Sequence, residues 1–245
     1  MREGLERHGV DCVLASYDEP VDCDFAVIWG WKQRQVIEKP RHLLVMERGH
    51  VGDRMAFTSM GWDGLGGRAK YPQIDDGGVR WRRHFDGLLQ DWRSEGGCAL
   101  VFGQCDGDAS LWGVDFREWA TGITAVLQAR GKWVVYRPHP LMLRNNLRWC
   151  PPGAEFSERS LADDLNQAAF TVTFNSTGGV DAVLAGVATV TRDQGSMAWP
   201  VTSHSLDEPL AMPDRSGWAH RLSWSQWLPD EIRSGEAWAA VREVL

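Results

Sequence analysis

The stretch Phe170-Thr-Val-Thr-Phe174-Asn-Ser-Thr-Gly-Gly-Val-Asp-Ala-Val-Leu-Ala-Gly186 decides the fold. Aromatic and β-branched residues at 170–174 specify a buried strand, and small polar residues make the turn after it. Apolar spacing over 179–185 then specifies a helix that Gly186 closes. A further apolar strand at 187–191 completes a strand–helix–strand unit, which requires parallel strands. Upstream the alternation repeats. Residues 99–102 read as a strand ending at Gly103, 114–130 as a helix closed by Gly131, and 132–137 as a strand running into Pro138-His-Pro140. Ser160 starts another helix, with Asp163 three residues on as an approximate capping box.

The first part of the chain follows the same logic more loosely. A helix is expected over 1–8 and strands over 10–15, 25–29 and 42–46. A short helix is expected over 31–38 and a longer one over 81–93, and residues 230–244 also read as helical. Residues 48–78 are rich in Gly, Asp and Trp and read as loops. The continuous apolar strands indicate parallel sheets covered on both faces. The expectation is α/β, with two Rossmann-like domains facing across a cleft. Glu95-Gly-Gly97 is the linker between a reduced N-terminal domain, 1–95, and a C-terminal domain, 96–245. Ligands of such sheets lie at the carboxyl ends of strands.

Composition excludes several classes. The chain has 245 residues, 43% hydrophobic and 24% charged, which rules out a disordered or fibrous protein. No apolar run approaches the ~20 residues that span a bilayer. The charged start, Met-Arg-Glu-Gly-Leu-Glu-Arg-His, does not resemble a signal peptide, so a cytoplasmic location is expected. Five cysteines without C-x-x-C spacing read as unbridged thiols. Net charge is -7, and neither half carries the basic stripe of a sequence-independent nucleic-acid binder. The densest basic cluster is Arg80, Arg82, Arg83 and His84 around Trp81, which is either a patch for an anionic acceptor or a solvated helix start. The 14 tryptophans divide between core and ligand stacking, with Trp133, beside Val134 and Val135, assigned to the core.

Four segments carry candidate chemistry, each after an expected strand. Asn175, Ser176, Thr177, Gly178 and Gly179 form a turn into a helix that either holds a phosphate or only caps the helix. Arg137 and His139 lie on a stiff Pro-flanked turn and offer donors to an anion. Asp106 and Asp108 stand in the loop after 99–102, where a carboxylate can serve as nucleophile or base. Glu47 ends the strand at 42–46. Facing Asp108 across a cleft, it would suit acid–base or double-displacement chemistry at a sugar carbon. The D-x-D spacings Asp22-Cys-Asp24 and Asp106-Gly-Asp108 lack a supporting acidic cluster, so no metal is predicted.

In order and spacing, Gly103-Gln104 with Asp108-Ala-Ser110, then Tyr136-Arg-Pro-His-Pro140, then Asn175-Ser-Thr-Gly-Gly179 with Ala182-Val-Leu-Ala-Gly186, resemble the bacterial capsule β-Kdo glycosyltransferases. The HP-motif sialyltransferases share the later two motifs more distantly. The resemblance covers about residues 98–200. It implies a GT-B fold and a nucleotide-sugar donor in the C-terminal domain, with no other cofactor. It gives Asp108 the place of the family's catalytic aspartate and Glu47 that of a second carboxylate. His139, with Arg137 and the 175–179 turn, would hold the donor phosphate. The aromatic segment downstream in that family is replaced by Asp193-Gln-Gly-Ser-Met-Ala-Trp-Pro200. Residues 47–69 are similar to small proteins of tailed bacteriophages, which makes hydroxymethylated pyrimidines in DNA one acceptor and a glycan the other. Arg48, Asp53, Arg54, Trp62, Arg82 and Arg83 are the acceptor-side candidates. No obligate protein partner is expected. The alternatives are a non-catalytic nucleotide- or glycan-binding module and a sugar-nucleotide epimerase.

Overall fold

The computed structural model describes residues 1–16, 22–31 and 40–245. The short helix expected at 31–38 falls outside them, save for Trp31. The chain opens with α1 (Arg2–Glu6), β1 (Phe25–Trp29), β2 (His42–Arg48), β3 (Thr58–Trp62) and α2 (Val79–Phe85). Next come β4 (Cys98–Phe102), α3 (Phe116–Ala129), β5 (Trp133–Arg137), α4 (Pro140–Arg144) and β6 (Glu155–Phe156). Then follow α5 (Leu161–Gln167), β7 (Ala168–Thr173), α6 (Gly178–Leu184) and β8 (Thr189–Thr191). The chain ends with α7 (Ser216–Ser223), β9 (Gln226–Trp227), α8 (Pro229–Ser234) and α9 (Glu236–Val241).

The elements form two compact units. One is Gly87–Asp214, and the other combines Met1–Asp86 with Arg215–Leu245. This differs from the expected division at 95/96 in two ways. The chain passes between units nearer residue 86, and its last thirty-one residues return to the first unit. The expected helix 81–93 stops at Phe85 because residues 90–93 bond instead to the end of α6. The Gln90 N–H donates to Leu184 O at 2.8 Å and the Arg93 N–H to Gly186 O at 2.9 Å. Gly186, at φ +77°, is needed there, since a Cβ would meet Asp91 O at 1.9 Å.

The unit Gly87–Asp214 holds a five-stranded parallel sheet in the order β6-β5-β4-β7-β8. Strand β4 shows why its sequence is apolar throughout. Ala99 and Val101 pack on the side of α3, with Phe116, Ala120 and Leu127. Cys98, Leu100 and Phe102 pack on the opposite side, against Leu165 of α5 and Ala182 of α6. Both faces are covered, so alternation disappears. Helix α3 is started by Asp115, whose side chain accepts the Arg117 and Glu118 N–H groups. Ser160 caps α5 as the sequence indicates, accepting the Asp163 N–H at 3.1 Å. Trp133 is a correction. It is 48% exposed at the start of β5, and its indole N–H reaches Glu155.

The first unit has a mixed sheet, β1-β2-β3-β9, in which only β1 and β2 are parallel. The segment read as loops thus contains β3, which turns back antiparallel on β2. The strand expected at 10–15 is not formed, and Val13 and Leu14 are exposed. The core here joins Leu44, Met60 and Trp62 to Trp227, Ile232, Trp238 and Val241 from the returning tail. Trp62, an acceptor-side candidate, is wholly buried, and its indole N–H donates to Val241 O at 2.7 Å. It is a core residue.

A buried ion pair ties α2 to that tail. Arg80 grips both carboxylate oxygens of Glu231 at 2.5 and 2.8 Å. It also donates to Ser223 O and Gln226 O, and lies 4.3 Å from the Trp227 ring centroid. Burial alone would raise the Glu231 pKa, but the Arg80 bonds, the Leu228 N–H and the nearby charges hold it below the usual range. Arg80 therefore leaves the basic surface cluster, while Arg82 and Arg83 remain exposed. Beyond β2, the Gln226 side chain accepts the His50 and Val51 N–H groups and donates to Val51 O. His50 is buried, and desolvation with the nearby Arg54 charge lowers its pKa to about 4. Among the described residues no helix is long and apolar enough to cross a membrane.

Two outcomes follow. Arg80→Met strands the Glu231 charge in the core and should cost about 3–5 kcal/mol in urea denaturation, much of it recovered in Arg80→Met/Glu231→Leu. For His50, the folded pKa lies below its ordinary 6.5. The unfolded chain therefore takes up a proton that the folded chain refuses between those values. Stability is full above pH 6.5 and is lost as pH falls toward 4, by up to about 3 kcal/mol. Urea midpoints from pH 4.5 to 7.5 should show this slope, and His50→Gln should flatten it.

Candidate functional site

The carboxyl ends of β4, β5, β7 and β8 deliver four loops to one edge of the parallel sheet. Two buried amides bind these loops together. The Asn175 backbone N–H donates to Gln104 Oε1 at 3.2 Å, and Gln104 Nε2 returns a bond to Asn175 Oδ1 at 2.7 Å. Asn175 Nδ2 donates to Ser110 O at 2.7 Å and to Asp193 Oδ1 at 3.0 Å. Asp193 also accepts the Gly195 N–H. Asn175 is 7% exposed and its amide is fully used by the protein. Its side chain therefore positions the turn and has no donor left for a phosphate, which corrects its place among the donor ligands.

Asp108 stands exposed in the loop after β4. Its Oδ1 accepts the Ser110 N–H at 2.8 Å and caps the short turn Ala109–Leu111. Oδ2 has no protein partner among the described residues. Because the Ser110 carbonyl is held by Asn175, this carboxylate and the β7 turn share one scaffold. The neighbouring Asp106 pairs instead with Arg117 at 2.7 Å.

His139 and Arg137 follow β5. His139 Nδ1 accepts the Leu141 N–H at 3.1 Å, capping α4, and meets Cys105 Sγ at 3.3 Å. An acceptor Nδ1 puts the proton of the neutral ring on Nε2, which makes Nε2 the donor atom. Arg137 uses Nη1 to hold the buried Asp164 at 2.6 Å and Arg159 O at 2.7 Å. Its Nε and Nη2 have no protein partner among the described residues, so a charged face remains beside the turn.

The 175–179 turn leads from β7 into α6. Ser176 Oγ accepts the Gly178 N–H at 3.2 Å, so it does cap, while its hydroxyl proton stays available. Thr177 precedes α6 and makes no side-chain cap. Gly178 is small for packing reasons, since a Cβ would lie 2.7 Å from the Phe102 ring, and Gly179 is buried.

In the first unit, Glu47 is half-buried and Arg48 exposed at the end of β2. The Arg48 guanidinium lies 5.6 Å from the Trp29 ring centroid. Asp53 Oδ1 accepts the Met55 and Ala56 N–H groups, a local turn role. Arg54 lies near His50, whose ring meets Tyr71 Oη at 3.3 Å. Burial and then the Glu47 charge raise the Tyr71 pKa, keeping the phenol neutral. On α2, Arg82 donates to Gly77 O, and Arg83 is exposed. Sequence reasoning missed the positioning role of Gln104. The signal for it was a polar residue two positions past the end of an apolar strand. Among the described residues no three His, Cys, Asp or Glu side chains gather as a metal group.

No protein-family profile matches the chain, and no curated protein matches it. Solved structures do. The chain is similar to Thermosulfurimonas dismutans KpsC, beta Kdo 2,7 transferase, at 15% identity and TM-score 0.54, over 90% of this chain and 86% of that one. It is also similar to Thermosulfurimonas dismutans KpsC, beta Kdo 2,4 transferase, at 15% identity and TM-score 0.54, over 80% and 78%. At this identity the likeness shows the fold. The chain is a mixed α/β protein whose structural neighbours are glycosyltransferases.

Proposed function

We propose that the chain is a GT-B glycosyltransferase that moves a sugar from a nucleotide-activated donor to an acceptor hydroxyl. The observation that carries this reading is the Gln104–Asn175 pair, which holds the Asp108 loop and the 175–177 turn on one sheet edge. The glycosyltransferase fold of the structural neighbours supports it.

The donor's phosphate would take hydrogen bonds from His139 Nε2, the Ser176 and Thr177 hydroxyls and the remaining Arg137 nitrogens. These donors are fixed before the reaction, so they stabilise the charge that grows on the leaving phosphate without reorganising. Asp108, steadied through Oδ1, would attack the anomeric carbon with Oδ2 as the bond to phosphate breaks. The acceptor hydroxyl would then displace the carboxylate, giving its proton to a general base or to water. Arg48, Arg54, Arg82 and Arg83 are the acceptor-side residues that keep exposed or half-buried positions. The acceptor is a glycan or a hydroxymethylated pyrimidine.

Mass spectrometry of a panel of nucleotide sugars, with glycan and hydroxymethylated-DNA acceptors, tests this. The wild type should release nucleotide and form a glycosylated acceptor. Asp108→Asn should lower turnover at least about 100-fold. Unchanged turnover would make the chain a binding module, and an epimerised sugar without acceptor would make it an epimerase. His139→Ala should weaken donor use by about 10- to 100-fold, the loss of one hydrogen bond to a charged group. Full donor use in that variant would remove His139 from the phosphate site.

A further inference from the structure

Trp29 ends β1 with its indole 47% exposed, and its N–H meets no protein acceptor among the described residues. Parallel pairing sets Trp29 beside Met46, so the next two residues of β2, Glu47 and Arg48, reach the same carboxyl edge. The Arg48 guanidinium lies 5.6 Å from the indole centroid. Gly30, at φ +76° and bonded through its N–H to Met46 O, lets the Glu47 carboxylate lie close, with Oε1 3.8 Å from where a Cβ would stand. A tryptophan that is 47% exposed thus has a cation over its ring and a carboxylate nearby, at the carboxyl end of the parallel β1–β2 pair.

We infer that Trp29, Glu47 and Arg48 form a saccharide-binding platform of the first unit, one suited to a glycan acceptor, a role that rests on the reaction proposed above. The C–H face of a pyranose is apolar and weakly positive, and it matches the π face of an indole. A sugar hydroxyl both donates and accepts, so it needs what the flanks supply: a carboxylate acceptor, guanidinium donors and the indole N–H. A nucleic-acid strand would also stack on indole, but it needs a basic groove along its backbone. This unit has 17 Lys and Arg against 18 Asp and Glu, a net charge of -1, and Glu47 sits against the platform. The charge pattern favours the neutral, hydroxyl-rich ligand.

The test is indole ¹⁵N NMR on the full chain, with the Trp29 signal assigned from Trp29→Phe. Oligosaccharides of glucose, N-acetylglucosamine and sialyllactose are titrated separately, beside a ten-residue thymidine strand at 150 mM salt. At least one saccharide should move the Trp29 signal saturably while the thymidine strand leaves it in place. Arg48→Ala should raise the Kd of that saccharide at least tenfold, with the remaining indole signals unchanged as the check on folding. A Trp29 signal that no saccharide moves, or that only the thymidine strand moves, overturns the proposal. The titration contains no nucleotide sugar. A chain that binds saccharide here but releases no nucleotide from any donor would sink the transferase reading alone. Donor turnover with an inert Trp29 signal would sink the platform alone.

Discussion

Two amides facing each other in the interior, Gln104 and Asn175, set the geometry of the candidate site. A parallel sheet places the carboxyl ends of its strands on one edge, but it does not fix the loops that leave them. Here the loop after β4 and the turn after β7 are joined by reciprocal bonds, and Asn175 carries the link to Ser110 and Asp193. Buried amides that lose a partner leave an unmet donor or acceptor in low dielectric, so such a network holds a single arrangement. Asp108 inherits that rigidity through Ser110.

The first unit depends on a contact between distant parts of the chain. Residues 215–245 bring Trp227, Trp238 and Val241 beneath the mixed sheet, and Glu231 brings the charge that Arg80 needs. Glu231 is also the side chain that accepts the Leu228 N–H at the start of α8. One carboxylate therefore caps a helix and neutralises a buried guanidinium. The arrangement also removes Arg80 from the surface, so α2 presents Arg82 and Arg83 without it.

The second unit was legible almost element by element, because its strands are continuous apolar runs and its helices carry their own stops. Asp115, Ser160, Gly131 and Gly186 act within a turn of where they stand, so their effect can be read locally. The candidates Asp108, His139, Ser176 and Thr177 stand out in the sequence because each lies in the loop or turn that follows an apolar strand. Asn175 was misread because its type fits a phosphate turn as well as a buried bridge, and only the presence of Gln104 across the sheet edge separates the two. Trp62 and Trp133 exchanged their expected places. An indole beside valines looks buried, yet Trp133 begins an outer stretch of its strand, whereas Trp62 sits in a Gly- and Asp-rich segment that folds into β3.

Local signals alone determined β4, α3, β5, α5, β7, α6 and β8, the parallel pairing that such crossovers require, and the loops that bear polar side chains; α4 and β6 carried no such signal. Long-range packing decided the rest: the return of the last thirty-one residues to the first unit, the antiparallel β3, and the partners of Arg80, Arg137 and Asn175. The physical reason is the range of the forces. Propensity, capping and glycine stereochemistry act over a few residues, while burial of apolar surface and compensation of buried charge join distant positions, Arg80 and Glu231 being 151 residues apart.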